Sequence, residues 1–318
     1  MIVTKKLISV IIPILNEESN IFLLFSELGL FIKKNSFNYD FQVVVVDDGS
    51  SDSSLKLIDV NKLLLNCSLK VVKLSKNFGS YNALRAGVKF ADGDIVTFTY
   101  ADLQDPLELI NKMVLEIEKG NEIVIAQREE NQSKFFEDFF SRLFAFIMRR
   151  IAIKEFPSKG FDVVMFDEKV KNRLNEFPEI NSSITLQILN LGFNKSFIGY
   201  AKSKRNSGKS KWTLKKKINL FTDSIVQYSS FPLRFISMVG ILMAFSGFVW
   251  GGYLVFLKFS GSIIESGWTA LICLITTGFG MVLISLGVIA EYLLRTLDAS
   301  RNRPIFIIDE IIETNYDK

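Results

Sequence analysis

Histidine is absent from this chain of 318 residues. That absence excludes Ser-His-Asp and Cys-His catalysis, His-ligated zinc and imidazole acid/base chemistry, leaving carboxylates, Lys, Tyr and bound metal for any reaction. Cysteine is nearly as scarce: Cys67 and Cys273 are the two, the second inside a long apolar run. A disulfide framework and a Cys-rich metal site are excluded, and the water-soluble part is expected to face a reducing compartment. No glycine-rich Walker loop, internal repeat or low-complexity tract occurs. A bound diphosphate would therefore have to be neutralised by a cation and by basic side chains. Charge of one sign is not in excess either. Lys plus Arg number 38 against 34 acidic residues, and the resulting +4, with a pI of about 8.8, is too mild to imply nucleic-acid binding.

Apolar residues, by contrast, make up 48% of the chain, and the mean hydropathy is +0.25. An ordinary water-soluble domain seldom reaches that value, so part of the chain is expected in lipid. Two stretches answer to this: Phe235 to Leu257 is 23 residues without a charge, and Ser266 to Ala290 is 25. At about 1.5 Å per helical residue each exceeds a hydrocarbon core of roughly 30 Å. The stretch 202–217 before the first, and Arg295, Arg301 and Arg303 after the second, are basic, whereas 258–265 carries one charge of each sign. The positive-inside rule then puts both termini on the cytoplasmic side. The opening MIVTKKLISVIIP has a short apolar run and no small-residue cleavage site, which reads as a buried strand and not a signal peptide.

Before the apolar stretches, strand and helix patterns alternate. Leu7–Ile12, Phe41–Val46, Leu69–Leu74, Asp94–Thr99 and Glu122–Ala126 read as strands, with helical spacing near 17–34, 51–65, 80–91 and 105–119. Unbroken Val/Ile runs in such an alternation predict a Rossmann-like α/β domain whose mostly parallel sheet is covered on both faces and carries its site at the carboxyl ends of the strands. Two further segments, 133–150 and 212–231, are basic, aromatic-rich helical patterns suited to a membrane surface or to packing on the sheet.

The chemistry-bearing residues follow the strands. Asn16-Glu17-Glu18 closes the first and Asp47-Asp48-Gly49-Ser50-Ser51-Asp52 the second, where carboxylates accept hydrogen bonds from a base or ribose. In the same segment Asp48-Gly49 suits a turn, and Ser50 or Ser51 suits the cap of the next helix. After the fourth strand, Asp102 and Gln104 are two apart, so in extended chain both side chains point one way and offer oxygens to a hard divalent cation. Asp105 before Pro106 is expected to cap a helix. Arg205-Asn206-Ser207-Gly208-Lys209-Ser210-Lys211 is a cationic loop able to close over phosphates, or alternatively a positive-inside flank.

In order along the chain, SVIIPILNEE, VVVVDDGSSDSS, LSKNFGSYNALRAG, DIVTFTYADLQDP, Gly160-Phe161-Asp162, RNSGKSKW and AEYLLR with RNRPIF resemble the polyisoprenyl-phosphate glycosyltransferases of the family 2, GT-A class. The resemblance implies transfer of one sugar, with inversion, from a nucleotide diphosphate donor, UDP-glucose foremost, to a polyprenyl phosphate at the cytoplasmic leaflet of a bacterial-type membrane. It also implies nucleotide-sugar binding by Pro13, Asn16, Glu17, Asp47, Asp48, Asn77, Gly79 and Arg128, with Asp48 reading the base. Mg2+ or Mn2+ would be held by Asp102 and Gln104. The lipid phosphate would be held by Arg205, Lys209, Ser210 and Lys211, and catalysis would involve Asp102, Asp162 and Arg205. One departure is plain: the family's metal motif usually reads Asp-Ala-Asp, and Tyr100 takes the place of the first aspartate. A phosphate acceptor is already anionic near neutral pH, so it has little need of a general base, and the missing histidine is no obstacle. The implied organisation is a catalytic domain over 1–203, an acceptor loop and juxtamembrane helix over 204–233, two transmembrane helices over 234–294, and a cytoplasmic tail over 295–318. Two other readings stay open: a processive polysaccharide synthase, and a non-catalytic nucleotide-sugar-binding scaffold. Homo-oligomerisation is also open, since Gly240, Gly247, Gly251 and Gly252 permit close helix packing.

Overall fold

A computed structural model of the chain describes residues 5–128, 145–150, 153, 155–157, 161–179, 182–201, 226, 229, 231–260, 267–301 and 303–314. Two compact units divide the chain at Phe221/Thr222 and again at Arg303/Pro304. The first is built on strands β1 (Leu7–Ile14), β2 (Asp40–Asp47), β3 (Ser68–Leu74), β4 (Ile95–Phe98), β5 (Ile123–Arg128), β6 (Phe161–Asp167), β7 (Lys195–Tyr200) and β8 (Ile308–Thr314). Its helices are α1 (Glu18–Asn35), α2 (Ser54–Asn61), α3 (Ser80–Phe90), α4 (Glu108–Glu118), α5 (Glu168–Glu176) and α6 (Ile184–Asn190).

The eight strands form one sheet in the order β7-β5-β6-β4-β1-β2-β3-β8. β1, β2, β3 and β4 run parallel, β5 pairs parallel with β7, and β6 runs antiparallel between β4 and β5. The predicted strands all form, with ends shifted by a residue or two. β1 continues through Pro13, which pairs with Val46 after the β4 ladder has ended at Ile11, so no β4 partner waits for the N–H that proline lacks.

Two-residue alternation sorts the strand residues between faces. Ile8, Val10, Ile12, Val43 and Val45 share one core with Ile21, Leu24, Phe25 and Leu28 of α1 and Ile110, Met113 and Val114 of α4. The other face takes α3, which lies so close that a Cβ on Gly87 would fall 2.2 Å from Ile11 Cγ2. Burying each such large side chain contributes roughly 1.5–3 kcal/mol, which is why these runs are continuous and not alternating with polar residues. β6, β7 and β8 are additions to the predicted strand set. β8 belongs to the segment read as a tail; it returns to the first unit and pairs antiparallel with β3.

The second unit contains α7 (Phe231–Phe259, 29 residues) and α8 (Trp268–Ser300, 33 residues). Both are long and apolar enough to cross a membrane, with apolar windows at Phe231–Tyr253 and Thr277–Leu297 that are 0% buried. The second window lies further along than the charge-free run 266–290, because it tolerates Glu291 and Arg295, which pair with each other at 2.9 Å. Of the segment 133–150 only 145–150 is described; it is helical, with Ala145 and Met148 buried and Phe146 exposed. The juxtamembrane pattern 212–231 lies almost wholly outside the described residues.

Candidate active site

Parallel strands deliver their carboxyl ends to one edge, so the segments after β1, β2, β3, β4 and β5 meet there, and β6, running the other way, begins there. The loops after β1 and β2 are interlocked by side-chain-to-backbone hydrogen bonds. The amides of Asn16, Glu17 and Glu18 donate to Ser50 Oγ (2.9 Å), Ser54 Oγ (2.9 Å) and Asp52 Oδ2 (3.1 Å). In return Asn16 Oδ1 accepts from the Ser51 amide at 2.8 Å and Glu18 Oε2 from the Ser53 amide at 3.0 Å. Asn16 adopts a left-handed φ of 52°, which asparagine tolerates better than most residues. The Glu17 carboxylate accepts from Asn20 Nδ2 at 2.6 Å. Ser50 thus serves the β1 loop and not the cap of the next helix; α2 begins at Ser54, where Ser53 makes no side-chain cap bond. Ser54 is a member of the site that the sequence patterns did not mark, and Ser50 was marked only as a cap; the dense Ser/Asp run after β2 was their signal.

The two neighbouring aspartates differ in role. Asp47 is fully buried; its Oδ1 accepts the Ser50 amide at 3.1 Å. Asp48 is buried too, and its two oxygens accept the amides of Phe78 (2.6 Å) and Gly79 (3.0 Å), tying the β2 end to the loop after β3. Asn77 Oδ1 also accepts the Gly79 amide, at 3.0 Å. This clasp requires close backbone approach. Gly49 has φ +79° and an added Cβ would sit 2.8 Å from the Lys76 carbonyl carbon, so only glycine fits.

After β4 the chain turns sharply, with Leu103 at φ 49° and Asp102 Oδ1 accepting the Gln104 amide at 3.3 Å. Asp102, Gln104 and Tyr100 are all half-buried at this turn. Asp105 does not cap α4, which starts three residues later; it is buried and accepts the Tyr200 hydroxyl at 2.6 Å, joining the turn to the end of β7. No group of three or more His, Cys, Asp and Glu side chains capable of holding a metal occurs among the described residues. Asp102 and Gln104 supply hard oxygens in small number, a donor set that suits a cation completed by diphosphate and water.

Arg128 ends β5 half-buried, level with Tyr200 of β7. Asp162 is the second residue of β6, near the same edge, though its side chain is outside the described set, as are Arg205, Lys209, Ser210 and Lys211. Pro13, Asn16, Glu17, Asp47, Asp48, Asn77, Gly79, Asp102, Gln104 and Arg128 are thus brought to one edge by topology. A further tie is buried: Arg85 of α3 donates to Gln187 of α6 and, at 3.2 Å, to the Ser182 carbonyl, so α3 is tied to α6 and to the chain just before it. Cys67 precedes β3, at the end of the strand away from this edge, and burial pushes its thiol up to about 12.

A mostly parallel α/β sheet with interlocked acidic loops at its carboxyl edge places the protein in the Rossmann-like class of folds. Within it, the chain belongs to glycosyl transferase family 2, whose model matches residues 9–173. Two relatives span nearly the whole chain. The uncharacterized glycosyltransferase YkcC of Bacillus subtilis (strain 168) is 31% identical over 303 residues, covering 95% of this chain and 93% of its own. The uncharacterized glycosyltransferase sll0501 of Synechocystis is 31% identical over 311 residues, covering 97% and 96%. A third, from Proteus mirabilis, is named undecaprenyl-phosphate 4-deoxy-4-formamido-L-arabinose transferase and is 26% identical over 307 residues, covering 96% and 94%. The protein is a glycosyltransferase with a GT-A catalytic unit and two candidate membrane spans.

Proposed function

We propose that this glycosyltransferase moves one sugar from a nucleotide diphosphate donor to a polyprenyl phosphate, at the cytoplasmic face of the membrane that holds α7 and α8. The observation that carries the reading is the joining, in one chain, of a family 2 unit to two membrane-length apolar helices, in a sequence that aligns over 96% of its length with a relative named for undecaprenyl phosphate. A lipid phosphate is an acceptor that suits a catalytic unit joined in one chain to membrane-length helices.

In this reading the donor nucleotide lies across the loops after β1, β2 and β3. Asn16, Glu17, Asp47, Asp48, Asn77, Gly79 and Arg128 line its place, and Pro13 shapes the end of β1. Asp102 and Gln104 would hold Mg2+ or Mn2+, which when bound neutralises the leaving diphosphate. A lipid phosphate oxygen attacks the anomeric carbon from the face opposite the diphosphate. A carbon–oxygen bond forms as the bond to the diphosphate breaks, the electron pair leaving with it, and the anomeric configuration inverts. The acceptor is already anionic, so no proton need be removed, and the enzyme's task is positioning and charge neutralisation. Arg205, Lys209, Ser210 and Lys211 are assigned to the acceptor phosphate, and Asp162 to orienting the nucleophile or sugar.

Full-length protein in detergent, given labelled nucleotide sugars (UDP-glucose first), Mn2+ and a polyprenyl phosphate, should yield one labelled sugar on lipid. A polymer would favour a processive synthase, and nucleotide-sugar binding without turnover a scaffold.

A further inference from the structure

β8 contributes little to the core. Its residues from Asp309 to Glu313 are exposed, with Ile311 at 39% and Ile312 at 45%, so apolar burial does not explain why the chain returns from α8 to the sheet. Charge and backbone pairing do. The ladder runs from Leu69↔Thr314 to Leu74↔Ile308, and two lysines of β3 meet acids of β8: Lys73 with Asp309 at 2.5 Å and Lys70 with Glu313 at 3.1 Å. Lys70 also holds Asp92 at 3.0 Å, which joins β8 to the turn before β4. Without β8, strand β3 would be an open sheet edge.

The upper end of this pairing lies at the donor loop. The Ser75 amide donates to the Ile307 carbonyl at 2.9 Å, one residue past the end of β3. Three and four residues on, Phe78 and Gly79 donate to Asp48. Phe306 lies under Lys89 of α3, with the ammonium 5.9 Å from the ring centroid, so the same tail touches the strand entering the loop and the helix leaving it. The loop is clasped on one side by Asp48 and Gly49 and on the other by residues 306–309.

We infer that β8 is a positioning strap for the donor loop: docked on β3, it sets the 75–79 backbone, and affinity for the donor nucleotide depends on that docking. The affinity part rests on the donor-site reading above; the backbone part stands without it. Only residues 301–307 separate β8 from α8 in the sequence, so the strap is continuous with a candidate membrane span.

The test uses the full chain in detergent and three variants: truncation after Arg303, Asp309→Lys, and the swapped pair Lys73→Glu with Asp309→Lys. Hydrogen exchange at the Phe78 and Gly79 amides should quicken by about tenfold or more on truncation and on Asp309→Lys, and return to within about twofold of wild type in the swapped pair. UDP and GDP, each titrated with Mn2+ by calorimetry, identify the nucleotide that binds more tightly. Its Kd should rise about fivefold or more in the first two variants and recover in the third. A strap serving stability alone would lower the unfolding midpoint without this rescue pattern. Unchanged exchange at Phe78 and Gly79 in a folded truncation overturns the proposal, as does a defect in Asp309→Lys that the swap leaves in place. If the truncation does not fold, Asp309→Lys and its swap decide. If neither nucleotide binds wild-type protein, the donor-site reading fails, and exchange alone decides the strap.

Discussion

Strand β2 and helix α7 are built from the same kind of residue and meet opposite fates. Val43, Val44, Val45 and Val46 are 0% exposed, covered by helices on both faces of the sheet. Phe245, Phe248 and Trp250 of α7 are 66%, 82% and 60% exposed. Apolar composition states only that a segment leaves water. Length and surroundings state where it goes: the β2 run is short and bounded by charged loops, so it is buried by its own chain, whereas the α7 run matches the thickness of a bilayer. Polar groups follow the same division. In the first unit the loop amides at the sheet edge are paired with Ser, Asp and Asn side chains of a neighbouring loop, although most of these pairs are exposed to water. In α7 Ser237 and Ser246 donate back to carbonyls of their own helix, as a segment in lipid must.

Substitutions should separate the two regions. The largest stability loss is expected at Phe25, fully buried between α1 and the sheet. Phe25→Ala should lower the unfolding free energy of the first unit by about 3–5 kcal/mol, measured by denaturant titration in detergent. Asp102→Asn should lower sugar transfer by about a hundredfold or more, roughly 2.7 kcal/mol of transition-state stabilisation, with unfolding unchanged; turnover within a few-fold of wild type would remove Asp102 from the metal site. Arg205→Ala should cost about tenfold in turnover in micelles free of anionic lipid, roughly 1.4 kcal/mol, with donor binding less affected. Retained turnover there, with weaker binding to anionic vesicles, would make 205–211 a membrane-attracting flank.

Acid gives a smaller, graded effect confined to the first unit. Burial raises the Asp92 carboxyl, but hydrogen bonds from Lys70 and Gln42 outweigh it and hold the group below the usual range; Asp52 is lowered likewise by Ser54 and the Glu18 amide. Their folded pKa lies below the unfolded one, so their stabilisation is present above about pH 4 and is lost as pH falls through the folded values. Thermal unfolding of the first unit should therefore decline from about pH 5 towards pH 3, and a flat profile would show these bonds to be inconsequential. The smallest effect is expected at Phe245→Ala, under about 1 kcal/mol in detergent, because lipid or detergent fills the space; a core-sized loss would mean that protein covers α7.

Much of the first unit was legible because its signals are local. Val/Ile runs of strand length, helical spacing between them and the DDGSSDSS and DLQD segments at strand ends all reflect short-range patterns. β6 and β7 were harder, since each makes non-local pairings that no nearby pattern announces. β8 was hidden for another reason: IDEIIET lacks strict alternation, and its partner β3 lies more than two hundred residues earlier in the chain. Asp105, and Ser50 or Ser51, were assigned to helix caps by their neighbours in sequence, but Tyr200 and Asn16, distant in sequence and near in space, took the hydrogen bonds of Asp105 and Ser50.

By itself the sequence determined what kinds of residue this protein can use, which segments leave water, and which motifs stand at strand ends, because composition, periodicity and charge-free length act over a few residues. Tertiary structure alone decided how those motifs share one edge: which amide each carboxylate holds, that Asp48 clasps the 78–79 backbone, and that the C-terminal segment closes the sheet beside that loop. Such choices depend on pairings between distant residues, whose partners are set by packing and hydrogen-bond competition across the whole fold.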